Sequence, residues 1–219
     1  MAEQEKSQGE SLSWRTQFRV ELYLILVGLS FGFSIENLLP NPSPPTVFRF
    51  IATVIMLVVW LHAQMGFASS GKTFDVGATP TWLGTVLLHY GEITSLTLLV
   101  VVALVQQCAA QFYVAVAAAH GFDLLVQAIH LVRLRKRDCR IEQRKKLARD
   151  WLFIDLIMIA TTVAARLIMA RCSECCVSLA VLAVTIATTL WDYGANQSFY
   201  FGLSECHKEK SGKADGKAA

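Results

Sequence analysis

Residues 81–134 read TWLGTVLLHYGEITSLTLLVVVALVQQCAAQFYVAVAAAHGFDLLVQAIHLVRL. This apolar run has one continuous polar break, Gln106-Gln107-Cys108, followed by Gln111. A helix crosses the hydrocarbon core of a bilayer in roughly 20 residues, so the run is too long for one crossing and about right for two. It predicts a helical hairpin, 82–105 and 109–134, that turns at the glutamines without help from Gly or Pro.

Working outward, four more apolar stretches of similar length occur at 18–39, 47–68, 151–170 and 176–193. The first is closed by Pro40-Asn41-Pro42-Ser43-Pro44-Pro45, whose prolines cannot continue a helix. The expectation is an all-α polytopic bundle of six transmembrane spans within 18–202. A tail, 1–17, precedes it, and a Lys-, Gly- and Ala-rich tail, 203–219, lacks the apolar content to fold. Composition agrees: 54% of residues are hydrophobic, 17% are charged and the mean hydropathy is +0.44, too little polar surface to cover a soluble globule. The polar, acidic start of the chain does not read as a cleaved signal.

Basic residues resist translocation and mark the cytoplasmic side. Six spans place Lys6, Arg15, Arg19, Lys72, the nine basic residues of 133–149, and Lys208, Lys210, Lys213 and Lys217 on one side. Arg49 and Arg171 fall at span ends on the other, and Arg166 lies inside the fifth span. Both termini are therefore expected in the cytoplasm. The loop 133–149 reads as a helical extension held at anionic headgroups, worth roughly 1 kcal/mol per basic residue near the surface. No soluble module is present that would make it a nucleic-acid site. A five-span alternative lays 120–149 along the membrane surface and puts those nine basic residues outside.

Small residues let helices approach closely in lipid. Gly28 and Gly32 have GxxxG spacing, and a homo-oligomer contact there is one reading beside ordinary packing within the chain. Trp14, Trp82, Trp151, Trp191 and Tyr193 fall at the proposed interfaces, as amphipathic rings do.

Ionisable side chains inside the bilayer need a partner, a wet cavity or a function. Glu21, Glu36, Arg166 and Asp192 lie near span ends, where reaching back to water explains them. His89 and Glu92 are three apart on the third helix, and His120 and Asp123 repeat that spacing on the fourth, so each pair shares a face. In an antiparallel hairpin turning near Gln106, His89 falls level with Asp123 and Glu92 level with His120. His62, His130 and Asp155 border this layer.

Three readings of the layer compete. It ties helices together and does nothing else. It is a cation or proton pathway, with imidazoles as relays, through His89, Glu92, His120, Asp123, His62 and Asp155. Or it is a metal site of His89, Glu92, His120 and Asp123, or a haem site pairing His62 with His89 or His120. The cofactor is not specified, since the His-before-acid order is not the di-iron Glu-x-x-His signature and no HExxH, P-loop or GxGxxG occurs. No Ser or Cys is coupled to a base as a hydrolase would require, which leans against an enzyme. The pathway reading is the favoured expectation, ahead of a metal- or haem-binding protein or a structural or signalling subunit. Cys172, Cys175 and Cys176 fall in a short non-cytoplasmic loop as free thiols or one local disulfide. The sequon Asn196-Gln197-Ser198 falls inside and is expected to carry no glycan.

Six short-looped spans with Trp60 and His62 near the end of the second resemble the bacterial lysosomal-type potassium channel family over the first three spans. That family's Phe-Ser-Asp motif is replaced here by Phe33-Ser34-Ile35-Glu36, and no functional residue is carried over.

Overall fold

The computed structural model describes residues 21–22, 24–40, 42–69, 94–133 and 139–201, which form helices and turns with no strand among them. In chain order the helices are α1 (Leu24–Leu38), α2 (Pro44–Ser69), α3 (Thr94–Leu104), α4 (Ala109–Arg133), α5 (Cys139–Ile168), α6 (Glu174–Ala195) and the single turn α7 (Gln197–Tyr200). Four contain segments long and apolar enough to cross a membrane: Pro44–Ala63, Ala109–Ile129, Lys145–Ile168 and Glu174–Ala195. Within the described residues α1 and α3 are shorter apolar helices. Most of the expected third span, 82–93, and both tails lie outside the described residues.

The chain reverses at 105–108, where Cys108 N donates to Val105 O at 2.9 Å. Side chains supply what a Gly or Pro would otherwise provide. Gln107 Nε2 donates to Asn37 O at 2.5 Å, Gln106 Nε2 to Ser34 O, and Asn37 Nδ2 to Ala103 O at 3.2 Å, docking the turn on the end of α1. The proline-rich stretch after α1 also begins the next helix. Ser43 O accepts from Val47 N at 2.9 Å, and Pro44 and Pro45 occupy the first turn of α2, where a missing N–H leaves no bond unmade.

Burial along three helices follows alternating steps of three and four, the spacing of a left-handed packed seam. On α2 it runs Thr46, Arg49, Thr53, Met56, Trp60, Ala63; on α5 Ala148, Trp151, Asp155, Met158, Thr162, Ala165; on α6 Ser178, Val181, Thr185, Thr188, Asp192. Helix α4 packs along α5, α2 along α6, and α6 along α5. One apolar core joins Leu57, Leu99, Phe112, Val116, Met158 and Val181 across these helices.

Along the helices, polar side chains share the interior with this core while many large apolar ones face outward. Thr53, His120, Asp155, Thr162, Thr185 and Asp192 are buried, while Val114, Phe122, Leu125, Leu156, Val163, Leu167, Ile186 and Leu190 are exposed. Water would penalise an apolar exterior of this extent, and a hydrocarbon solvent accommodates it. Gly28 and Gly32 lie on the exposed face of α1, where an added Cβ meets nothing within 4 Å among the described residues.

Candidate functional site: a buried histidine–aspartate pair

On α4 the inward stripe Phe112, Tyr113, Val116, Ala119 carries His120, about 16 Å along the axis from Ala109. On α5 the inward stripe carries Asp155, about 20 Å from Ile168. Antiparallel packing therefore brings both near half the depth of a ~30 Å hydrocarbon layer. His120 Nδ1 and Asp155 Oδ1 are 2.7 Å apart, and the residues are 6% and 2% exposed. Among the described residues their other polar atoms, His120 Nε2 and Asp155 Oδ2, are buried without a hydrogen-bond partner. Asp123, three residues along α4, stands in electrostatic contact with both and accepts from Gln127 Nε2 at 3.3 Å.

Of the six residues expected in the pathway, the structure gathers His120, Asp123 and Asp155. His89 and Glu92 lie outside the described residues, and so does half of the four-residue metal set. Among the described residues no three His, Cys, Asp or Glu side chains converge to hold a metal ion. His62 belongs to a different group. Its Nδ1 is 2.8 Å from Tyr193 Oη, and its ring packs at 4.9 Å from Tyr200 and 6.0 Å from Phe201.

That aromatic group adjoins Asp192, which does not reach back to water from a span end as its position in the sequence predicts. It is 3% exposed and accepts three hydrogen bonds: from Trp151 Nε1 at 2.9 Å, from Asn196 Nδ2 at 2.8 Å and from Tyr200 Oη. Asn196 leaves helical geometry between α6 and α7, its backbone N–H bonding Asp192 O and its side chain the Asp192 carboxylate. Lys146 Nζ covers the adjacent Ala195 carbonyl at 2.8 Å.

The opposite end is closed by Arg49. It is 1% exposed, and donates to Gln106 O at 2.5 Å, Gln107 O at 3.3 Å, Glu174 Oε1 at 2.6 Å and Ser178 Oγ at 3.1 Å. Ser178 Oγ is also 2.9 Å from Tyr113 Oη. The sequence puts Arg49 at a span end, and the signal for its burial is its place on the inward stripe of α2 between Thr46 and Thr53. Cys108, Cys172, Cys175 and Cys176 are free and exposed at this same end. No protein-family model matches the chain, and comparison with curated proteins and with solved structures gives no match either.

Proposed function

We propose that this chain is a multi-pass membrane protein that moves protons across the bilayer through His120, Asp155 and Asp123, with the basic segment 133–149 on the cytoplasmic side. The observation that carries the reading is the buried 2.7 Å pair in which each partner keeps one polar atom unbonded among the described residues. Most buried polar groups in folded proteins are hydrogen-bonded, and here two unbonded atoms belong to titratable side chains in contact. An imidazole bonded at Nδ1 and free at Nε2 is equipped to take a proton at one nitrogen while releasing one from the other. Asp155 meets the ring through Oδ1, which leaves Oδ2 for the outgoing proton. The basic segment supplies the orientation, because Lys and Arg in short loops stay on the cytoplasmic side.

The test is purified protein in liposomes containing a pH-sensitive dye, driven by a potassium diffusion potential. Potential-dependent acidification is expected, reduced by about tenfold or more in Asp155→Asn and in His120→Gln. Wild-type liposomes no leakier than empty ones, or variants equal to the wild type, overturn the reading. So does a stoichiometric metal or a haem absorption band in the purified protein.

A further inference from the structure

A proton on a pair buried at mid-depth needs a next acceptor, and the inner face of α6 offers one in one direction only. Toward the Arg49 end that face carries Val181 and Leu182, and beyond them Ser178, already engaged by Arg49 and Tyr113. Toward the other end it carries Thr185, Thr188 and Asp192. Both threonine hydroxyls give their hydrogens to their own helix, at 2.9 Å to Val181 O and 2.9 Å to Val184 O, and keep lone pairs on the inner face.

Two contacts set the register. Thr188 Oγ1 meets Met158 Sδ at 3.9 Å, and Asp192 Oδ1 accepts from Trp151 Nε1 at 2.9 Å. Asp155 lies between Trp151 and Met158 on the same stripe of α5, so it is flanked on α6 by Thr188 and Asp192. The two carboxyl groups are within electrostatic range of each other.

We infer that Asp192 is the next proton acceptor after Asp155, linking the buried pair to the end of the bundle where Lys146 and α7 meet. The inference rests on the proton-moving reading. In the step, the O–H bond at Asp155 breaks and an O–H bond forms at the Asp192 carboxylate, directly or through one water molecule. Asp155 is left ionised for the next proton from His120, and Asp192 gives up its own to a water molecule at that end of the bundle, past the buried Asn196 and Tyr200. Trp151, Asn196 and Tyr200 fix the orientation of the accepting carboxylate.

The experiment compares wild type, Asp192→Asn, Asp192→Glu and Tyr200→Phe in the same liposomes. In parallel, infrared difference spectra follow the protonation signals of the Asp155 carboxyl and the His120 ring. Asp192→Asn is expected to lower flux by about tenfold or more while the Asp155 and His120 signals are retained, that of Asp155 shifted by loss of the neighbouring charge. Asp192→Glu is expected to recover most of the flux, and Tyr200→Phe, which keeps the carboxylate, to stay within about threefold of wild type. Wild-type flux with Asp192→Asn equal to it overturns this inference and leaves the transport reading standing. Flux lost together with the Asp155 and His120 signals makes Asp192 a structural tie and overturns it too. Absence of wild-type flux removes the transport reading and this inference with it.

Discussion

Arg49 and Glu174 are 125 positions apart in the chain, and their side chains meet at 2.6 Å. The pair is asymmetric: the arginine is fully buried, whereas the Glu174 side chain is 45% exposed. Most of what Arg49 contributes therefore comes from its other acceptors, above all the carbonyls of Gln106 and Gln107, which close the α3–α4 turn. Arg49→Ala leaves those carbonyls unbonded and is expected to destabilise the protein by about 3–5 kcal/mol. Glu174→Gln, at a half-exposed site, is expected to cost about 1 kcal/mol or less. Arg49→Lys is expected to recover under half of the loss, because one ammonium cannot span acceptors arranged around a planar guanidinium. Unfolding in detergent, followed by helical circular dichroism, measures all three.

The His120–Asp155 pair makes a prediction about stability that is independent of transport. Replacing one partner strands the other in the interior, and His120→Leu or Asp155→Leu alone is expected to cost about 3–5 kcal/mol. The double replacement removes both polar groups, and its cost is expected to fall below the sum of the two by about 1–3 kcal/mol. A double-mutant cycle on thermal unfolding gives that coupling. Additive costs would mean that the 2.7 Å contact contributes nothing.

Apolar run length and the glutamine break are legible without a structure, and the turn lies at the glutamines, whose carbonyls and side-chain amides are bonded by Arg49, Ser34 and Asn37. The placement of His120 at mid-depth follows from counting along α4. Its pairing with Asp155 does not, because run length fixes depth and says little about which helix is the neighbour. Hairpin logic points to the preceding span, whose residues 82–93 lie outside the described residues, and gives no sign that α4 also packs along the helix that follows it. Asp192 is misread, and the burial of Arg49 is not anticipated, for a related reason. Proximity to a span end argues for contact with water, but the three-and-four spacing with Thr188 and Ser178, or with Thr46 and Thr53, argues for the interior, and the interior prevails because several donors or acceptors are waiting there. The likeness of Trp60 and His62 to a potassium channel family has no support from the comparisons, and His62 is occupied with Tyr193 and Tyr200.

Tyr200 ties α7 to Asp192, and its removal has two readouts. Tyr200→Phe deletes a hydrogen bond to a carboxyl group and is expected to cost about 1–3 kcal/mol, with faster amide exchange across 197–200. The second readout is alkaline stability. Burial, with Asp192 beside it, pushes the Tyr200 phenol well above its ordinary value of 10.0. The folded protein then holds this proton after the unfolded chain has released it, so stability falls as pH rises past about 10, by up to about 1.4 kcal/mol per unit. Tyr200→Phe is expected to flatten that decline. An unchanged slope would mean that Tyr200 ionises as freely in the fold as outside it.

The cysteines report on orientation. Cys108 lies in the α3–α4 turn and Cys172, Cys175 and Cys176 at the α5–α6 turn, and Arg49 bonds residues of both regions, Gln106, Gln107 and Glu174. All four thiols are therefore at one end of the bundle, opposite Lys146 and α7. With the basic segment 133–149 cytoplasmic, a membrane-impermeant maleimide added to intact cells is expected to label single-cysteine variants retaining Cys108, Cys172 or Cys175. A cysteine introduced at Ser198, beside α7, is expected to react only after the membrane is opened. The reverse pattern would invert the proposed orientation and leave the bundle intact. Labelling of Cys108 and Cys172 from opposite sides would break the shared end that Arg49 creates, and with it the antiparallel order of α2, α4, α5 and α6.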